Sequence, residues 1–322
     1  MRLRNRRLAF LLAALFFVCT AAGSEAATAI RVTKAGGKVS PRDGSSWERA
    51  LNRDELLARL SDESVKDVEF WLAGGVYNIR RSGGGPSTFR LRKGVSIYGG
   101  FKGDESSRDE RDPSAHVTVL SGNELSCNAV TIAEDADETT VLDGVRVMNG
   151  DARNHPPSYN SGGGVYIEDG APTVSNCLFL NNKARKGGAV FCKKGSPRFV
   201  NCVFDGNTAT EGRGFFIQEG SAALLDCSFI SDSESGGAGG ALVVLAQATV
   251  RCERCEFSNN KASAEGSAVR NQGDLELVNC TFSGNLSSGA VYNNNGAISA
   301  VNCTFANNTP TGGVALINKD GE

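Results

Sequence analysis

The chain has 322 residues, with 34 Lys or Arg against 36 Asp or Glu, so its formal net charge is −2. A balance this close to zero excludes the strongly basic composition of a general nucleic-acid binder, and we expect no nucleic-acid partner. The length suits one elongated domain.

Residues 1–26 are predicted to be a secretory signal peptide. An apolar core over residues 8–18 follows a basic end, and the small-residue cleavage site is Ser24-Glu25-Ala26 or Ala27-Thr28-Ala29. The basic end contains Arg2, Arg4, Arg6 and Arg7. The apolar core is too short for a lasting membrane span, so we expect no transmembrane segment after cleavage. The expected location is secreted, or at the cell surface or outer membrane.

The region 27–161 is predicted to form an N-terminal cap and irregular first turns of the fold. Apolar residues near helical spacing over residues 46–60 predict an amphipathic helix that covers the first turn. Strands are expected near residues 68–72, 88–91, 95–98 and 117–120. The polar stretches 102–115 and 151–161 are predicted to be projecting loops.

A tandem repeat dominates the region 162–322. Its first three copies begin at Gly162, Gly187 and Gly212, 25 residues apart, and each carries a Cys-x-Phe step. Three looser copies continue the step to Phe305. A period of this size indicates a solenoid, a propeller or an array.

The residues within one copy decide between these architectures. Val190 and Cys192 alternate as in a strand, and a glycine turn follows. The step from Phe199 to Cys202 is three residues, so the chain must bend at Asn201 for both side chains to point inward. The same bend position carries Asn176, Asn201, Asp226, Arg254, Asn279 and Asn302. Three short strands and three corners per copy predict a parallel β-helix.

Equivalent residues of successive turns should then stack about 4.8 Å apart in columns. We expect an internal cysteine column of Cys177, Cys202, Cys227, Cys255, Cys280 and Cys303. We expect an internal phenylalanine column of Phe179, Phe204, Phe229, Phe257, Phe282 and Phe305. A hydrogen-bonded corner ladder is expected from Asn182, Asn207, Asp232, Asn260, Asn285 and Asn308.

The repeat resembles a known family. Gly187-Gly188-Ala189-Val190 paired with Phe204-x-x-Asn207 resembles the repeat of the polymorphic outer membrane proteins. More broadly, the chain resembles secreted right-handed β-helix proteins of the pectin-lyase-like class. The resemblance implies an all-β right-handed parallel β-helix in which 27–161 and 162–322 form one continuous domain. It does not imply an activity, because this fold hosts lyases, hydrolases and adhesive shafts.

Nine cysteines remain after removal of the leader. Column neighbours about 4.8 Å apart are too distant for the usual Cβ–Cβ separation of a disulfide, about 3.8 Å, so the column is expected to be reduced. Cys252-x-x-Cys255 has the spacing of a metal or redox pair, but both positions match internal columns. We expect no metal and no cofactor. The disulfide state of Cys127 and Cys192 stays open.

No catalytic residue is predicted. Two surface columns combine acids with a lysine. One contains Asp169, Lys194 and Glu219, and the other contains Glu168, Lys193 and Gln218. A lysine between two acids predicts a ladder of ion pairs, which contributes about 0–1 kcal/mol per pair, instead of a calcium site. His116 and His155 lie in loops far apart in sequence.

Two features favour binding. One column contains Tyr166, Phe191 and Phe216, and Arg270 and Tyr292 are expected to continue it. Its residues alternate along the strand with inward-facing residues such as Val190, so the column should face outward. Lys193 and Lys194 lie in an acid-free basic segment next to this column. We name these aromatic residues and the two lysines as candidate ligand-binding residues. The alternatives are ordinary outer-face stacking and a solvated basic face.

The favoured hypothesis is an exported, non-catalytic binding or adhesion module. Its expected partner is an acidic glycan or a host or cell-surface protein, and the C-terminal turn, which lacks a predicted cap, offers a further contact. The alternative is a polysaccharide lyase or glycosidase that acts on an acidic glycan.

Overall fold

The computed structural model describes residues 27–82, 85–86, 88–123, 125, 127–154, 160–230, 240–262, 266–286, 289–308 and 315–321. The predicted signal peptide, His155 and Asp232 of the expected corner ladder lie outside the described residues. No helix in the described ranges is long and apolar enough to cross a membrane.

The described chain contains one α-helix and 28 short strands. The N-terminal elements are β1 (Thr28–Val32), α1 (Arg53–Ser61), β2 (Val68–Ala73), β3 (Gly75–Asn78), β4 (Arg81–Ser82), β5 (Gly85–Pro86), β6 (Phe89–Leu91), β7 (Val95–Phe101), β8 (Thr118–Ser121), β9 (Val130–Ile132), β10 (Val141–Asp143) and β11 (Val145–Met148). The middle strands are β12 (Val165–Ile167), β13 (Thr173–Ser175), β14 (Leu178–Leu180), β15 (Val190–Cys192), β16 (Arg198–Val200), β17 (Val203–Asp205), β18 (Phe215–Leu225), β19 (Ser228–Ile230) and β20 (Leu242–Glu253). The last strands are β21 (Glu256–Ser258), β22 (Val269–Asn271), β23 (Asp274–Val278), β24 (Thr281–Ser283), β25 (Val291–Asn294), β26 (Ala297–Val301), β27 (Thr304–Ala306) and β28 (Leu316–Lys319).

The strands pair in parallel, turn upon turn, along three faces. The first face runs from β6 through β9, β12 and β15 to the start of β18. The second face runs from β1 through β2, β7, β10, β13 and β16 to the end of β18. The third face is a nine-stranded sheet from β3 to β27. Because β18 and β20 run through the corner between the first two faces, these faces form one 17-stranded sheet. The predicted parallel β-helix is confirmed.

The interior is built from the predicted columns. Neighbouring rings of the phenylalanine column, from Phe179 to Phe305, stack with centroids 4.4–4.9 Å apart and planes within 7° of parallel. Beside them the cysteine column is reduced, and its thiols donate to carbonyl groups of neighbouring turns; the Cys202 thiol, for example, reaches the Val174 carbonyl at 3.5 Å. Only the last members, Cys303 and Phe305, are partly exposed. Burial of these rings stabilises the fold by removing apolar surface from water.

The bend between the second and third faces is where the sequence placed it. All six bend residues have a left-handed backbone, with φ between 51° and 55°. Asn and Asp tolerate this region, which explains five of the six. Arg254 adopts the same conformation with φ 53°, and its guanidinium holds the carboxylate of Asp226 one turn earlier at 2.7 Å.

The N-terminal helix is shorter than predicted. It covers Arg53–Ser61 instead of residues 46–60, because Leu51 and Asn52 form β-bridges with Val32 and Ala35 and are therefore extended. Asn52 then caps the helix, accepting from the backbone N–H of Glu55 at 3.0 Å. The buried Leu56, Leu57 and Leu60 join the main core, as expected of a capping helix.

The stretch 102–115 was expected to project as a loop. It instead folds back on the second face. The guanidinium carbons of Arg108 and Arg111 lie 4.6 and 5.4 Å from the ring centre of Tyr98. Arg111 also pairs with the nearly buried Asp143. The stretch is held by cation–π contacts and ion pairs that cross between turns, which sequence periodicity does not show.

Candidate functional site

The predicted aromatic column exists in the predicted register. Tyr166 pairs with Phe191 and Phe191 with Phe216, and Val243, Arg270 and Tyr292 continue the column on later turns. Successive rings stack 5.4 Å apart. Tyr166, Phe191, Phe216 and Val243 form a cluster separate from the main core, so the side chains point outward from the coil as expected.

The column is not open to solvent, however, and this corrects the expectation of an exposed stacking stripe. Phe191 is 5% exposed and Phe216 is 0% exposed. The chain turns over the column at Gly187 before β15 and at Gly212 before β18, and the ammonium group of Lys186 lies 5.2 Å from the ring centre of Phe216. Phe191 and Phe216 therefore serve packing in this conformation, and a sugar ring would need to displace these neighbours to reach them.

Beside the column, a groove follows the corner between the first and second faces. Its first part, about 520 Å³, is lined by residues of the turns 63–67, 90–93 and 133–135. Its second part, about 590 Å³, is lined by Glu134, Tyr166, Glu168, Asp169, Lys193, Lys194 and Glu219. Both parts share Glu134. We call these lining residues together the charged groove.

The register of the first face places the groove residues in columns. The register pairs equivalent residues on successive turns: Leu91, Ile132, Ile167, Cys192 and Ile217. On the later turns the pairing continues past these positions, so Asp169, Lys194 and Glu219 form one column, about 4.8 Å per turn. Glu134 lies on the preceding turn in the same lining, and Lys93 pairs with Asp137. The groove thus presents polar side chains at a regular spacing along the axis of the coil.

Two ion pairs cross between turns within the groove, one between neighbouring turns and one across two turns. Lys194 holds Asp169 at 3.4 Å, and Arg90 holds Glu168 at 3.7 Å. The Lys194–Asp169 pair is one step of the expected ladder, whereas Glu168 pairs with Arg90 and not with Lys193. The Lys194 side chain is 60% exposed, so its pair contributes little to stability.

Other groove charges make no ion pair in the described part of the chain. The carboxylates of this kind are Glu63, Asp67, Glu134, Asp135 and Glu219, and the cations are Lys66 and Lys193. The guanidinium of Arg92 contacts no carboxylate of the described residues. It donates to the backbone carbonyl groups of Leu60 at 2.7 Å and Val65 at 3.2 Å, at the end of helix α1 and just after it. Its side chain is buried, and its Nε has no hydrogen-bond partner.

The structure thus brings Tyr166, Lys193 and Lys194 together in one groove and leaves Phe191 and Phe216 beneath the adjoining surface. Sequence reasoning missed Glu134 because the first turns depart from the 25-residue period. The sequence does contain a signal for Glu134, because an acid follows two alternating apolar residues at the same spacing on both turns. The residues are Val130, Ile132 and Glu134 on one turn and Val165, Ile167 and Asp169 on the next.

The cysteines offer no second site of this kind. All nine in the described residues are reduced, with no disulfide at Cys127 or Cys192. Burial raises the pKa of Cys192 from 9.0 to about 12, with a smaller contribution from the charge of Asp169. Within the described residues no group of three or more His, Cys, Asp or Glu side chains is arranged to hold a metal ion.

Comparison with known proteins defines the class. The family model of the right handed beta helix region matches residues 163–322. Among solved structures, the deglycosylated pectin methylesterase from Aspergillus niger shares 13% identity, with 93% of this chain and 91% of that chain covered and a TM-score of 0.46. Pectate lyase Pel9A shares 15% identity, with 86% and 78% covered and a TM-score of 0.45. No curated protein sequence matches the chain.

Taken with the parallel pairing, the family match makes this protein a right-handed parallel β-helix. The two structural similarities are at the level of the fold and carry nothing about activity. The closer resemblance to polymorphic outer membrane repeats stays a prediction.

Proposed function

We propose that the protein is an exported, non-catalytic binding module whose charged groove holds a linear glycan. The observation that carries the proposal is the groove itself, which repeats polar side chains about every 4.8 Å over several turns. A linear polymer with regularly spaced hydroxyl groups matches such a surface better than a compact small molecule does. Export is proposed because a signal peptide is predicted. An exported binding module would be placed where it could act in adhesion.

The ligand contacts follow from the groove chemistry. Carboxylates accept hydrogen bonds from sugar hydroxyls, and the free ammonium group of Lys193 donates to sugar oxygens. Tyr166 lines the groove and offers the edge of the aromatic column. Lys194 is already paired with Asp169, and carboxylates outnumber lysines in the second part of the groove. The charge of the groove therefore supports an acidic glycan less than the sequence alone did.

A second candidate, a glycosidase, is favoured by one specific arrangement. Glu134 and Asp169 lie on adjacent turns, each two residues after the paired Ile132 and Ile167. Adjacent turns are about 5 Å apart, and retaining glycosidases hold their two carboxyl groups about 5–5.5 Å apart. In this protein Asp169 is engaged by Lys194, which favours a structural role for that carboxylate.

A glycan array probed with the purified protein tests the proposal. Binding should appear for at least one class of linear glycan, and Glu134→Gln and Lys193→Gln should each weaken it. Glu256→Gln and Lys38→Gln, at exposed positions outside the groove, are the matched controls and should leave it unchanged.

The chain length of each bound glycan should also be measured after prolonged incubation. Unchanged length supports a binding module. If the wild-type protein shortens a glycan and the Glu134→Gln variant does not, the protein is a glycosidase and not a binding module. If no glycan on the array binds, the proposal is overturned.

A further inference from the structure

The bend between the second and third faces changes character along the coil. On its earlier turns the side chains at the bend are bonded to one another from turn to turn. The Nδ2 group of Asn201 donates to Oδ1 of Asn176 at 2.8 Å, and Arg254 holds Asp226 at 2.7 Å. The polar groups of these four side chains are therefore used to join the turns.

The last two residues of the bend, Asn279 and Asn302, are not used in this way. Both are exposed, and their side-chain amides make no hydrogen bond within the described residues. Their backbones keep the left-handed conformation of the bend, with φ 55° and 54°. Two asparagine amides thus stand open to solvent at equivalent corners of successive turns.

The sequence around these two amides is also distinctive. Asn279-Cys280-Thr281 and Asn302-Cys303-Thr304 are both copies of Asn-x-Ser/Thr, the acceptor triplet for N-linked glycosylation of exported proteins. The threonine of each triplet is exposed, as the asparagine is. The earlier asparagines of the bend have Leu178 and Val203 in place of the threonine. The unbonded amides therefore coincide with the acceptor triplets.

The chain contains two further copies of the triplet, at Asn285 and Asn307. Asn285 is buried, and its side chain belongs to the corner ladder: its Nδ2 group donates to the Phe257 carbonyl at 2.8 Å, and its Oδ1 accepts from Asn260 at 3.0 Å. A glycan on this nitrogen would break the ladder. The threonine of the Asn307 triplet lies outside the described residues, so the argument is confined to Asn279 and Asn302.

We propose that Asn279 and Asn302 are acceptor sites for N-linked glycans. The donor is a glycan carried on a lipid diphosphate, and an oligosaccharyltransferase of the export pathway performs the transfer. The Nδ2 atom forms a bond to the anomeric carbon of the glycan, and the bond from that carbon to the diphosphate oxygen breaks. The lipid diphosphate leaves with the electron pair, and the amide loses one proton to a base of the transferase.

This inference shares one element, export, with the proposed function and is otherwise independent of it. The charged groove follows the corner between the first and second faces, whereas the two acceptors lie at the bend between the second and third faces. A glycan attached at this bend leaves the groove open. Modification and groove binding can therefore be tested separately.

Mass spectrometry of the natural protein tests the proposal. The protein is purified from the exported fraction of the cells that make it, and its peptides are compared before and after treatment with peptide N-glycosidase. The glycosidase converts a glycosylated Asn to Asp, which marks the position by mass. Conversion is expected at Asn279 and Asn302. Asn201, at the same bend but without a threonine two residues later, is the control and should stay unmodified.

Variants produced in the same cells assign the modification to the triplets. The double variant Thr281→Ala, Thr304→Ala keeps both asparagines but removes both acceptor triplets, so it should lose the glycan completely. The matched double variant Thr281→Ser, Thr304→Ser retains both triplets and should remain modified. Both threonines are exposed, and a melting curve after glycosidase treatment shows that each variant is folded.

The outcomes separate this inference from the proposed function. Exported protein that is unmodified at both positions overturns the inference and leaves export standing. Modification confined to Asn285 or Asn307, or retained at Asn279 or Asn302 in the alanine variant, also overturns it. Modification at one of the two positions supports the inference there and overturns it at the other. If the protein is not exported, this inference and the proposed export both fail, whereas failure of the glycan array concerns the groove alone.

Discussion

Asn182 and Asn207 stand 25 residues apart in the chain and one turn apart in the coil, and they are joined side chain to side chain. The Nδ2 group of Asn182 donates to Oδ1 of Asn207 at 3.1 Å, and the backbone N–H of Asn182 donates to the same oxygen at 3.1 Å. Asn207 in turn donates to the carbonyl oxygen of Phe179 at 3.0 Å. Asn260 and Asn285 repeat this geometry three turns further on.

The first prediction concerns this ladder. Asn207→Leu should lower the free energy of unfolding by about 2–4 kcal/mol, because it leaves the backbone N–H of Asn182 and the Phe179 carbonyl without their partners at a buried corner. Urea denaturation measures the loss. The control Asn154→Leu, at an exposed turn, should change stability by no more than about 0.5 kcal/mol. A loss at Asn207 no larger than at Asn154 would contradict a stabilising role of the ladder.

The second prediction compares the two aromatic columns. Phe204→Ala should destabilise by about 3–5 kcal/mol through a cavity in the core stack. Phe191→Ala should also cost several kcal/mol, at least about 2, because its ring is buried between Tyr166 and Phe216. Val301→Ala, 49% exposed, is the control. A cost below about 1 kcal/mol at Phe191 would mean that the outer column is solvent-exposed in solution.

The third prediction concerns the left-handed corner. Asn279 has φ 55° and is exposed, so its backbone conformation and not its burial decides what fits. Asn279→Val should destabilise by about 1–2 kcal/mol, since a β-branched residue is strained in this region. Asn279→Gly should be close to neutral. Chemical denaturation of the two variants checks the order, and equal stability would contradict the conformational argument.

The fourth prediction is a dependence on alkaline pH. Burial raises the pKa of Cys192 to about 12, so the folded state keeps the proton that the unfolded state loses near pH 9. Stability is therefore unaffected below about pH 9 and falls as pH rises toward 12, with a limiting slope of about 1.4 kcal/mol per pH unit for this thiol. Cys192→Val removes the ionisable group and keeps an apolar side chain.

Unfolding free energies at pH 8, 9.5 and 10.5 provide the measurement, since the valine variant should lose less stability than the wild-type protein over this interval. Parallel curves for the two proteins would contradict a shifted Cys192. Iodoacetamide should likewise leave the folded thiol unmodified at pH 8, because only the thiolate reacts and the group is buried.

The sequence determined the coil and its interior. A 25-residue period with alternating apolar positions fixes which side chains stack, and Phe204 and Cys202 lie where that period places them. The three-residue step from Phe199 to Cys202 likewise located the left-handed corner at Asn201. These features are local or periodic, so they can be read from one chain without knowledge of distant contacts.

Only the tertiary structure decided what covers the outside of the coil. Parity showed that Phe191 points outward, but its burial depends on chain segments that pack over the first face from the adjoining corner. In the same way Arg108 stacks on Tyr98 across an irregular stretch, and Glu134 joins Lys193 in a groove although 59 residues separate them. Periodicity fixes which face of a strand a side chain takes, whereas exposure and the grouping of charges depend on contacts between turns that have no period.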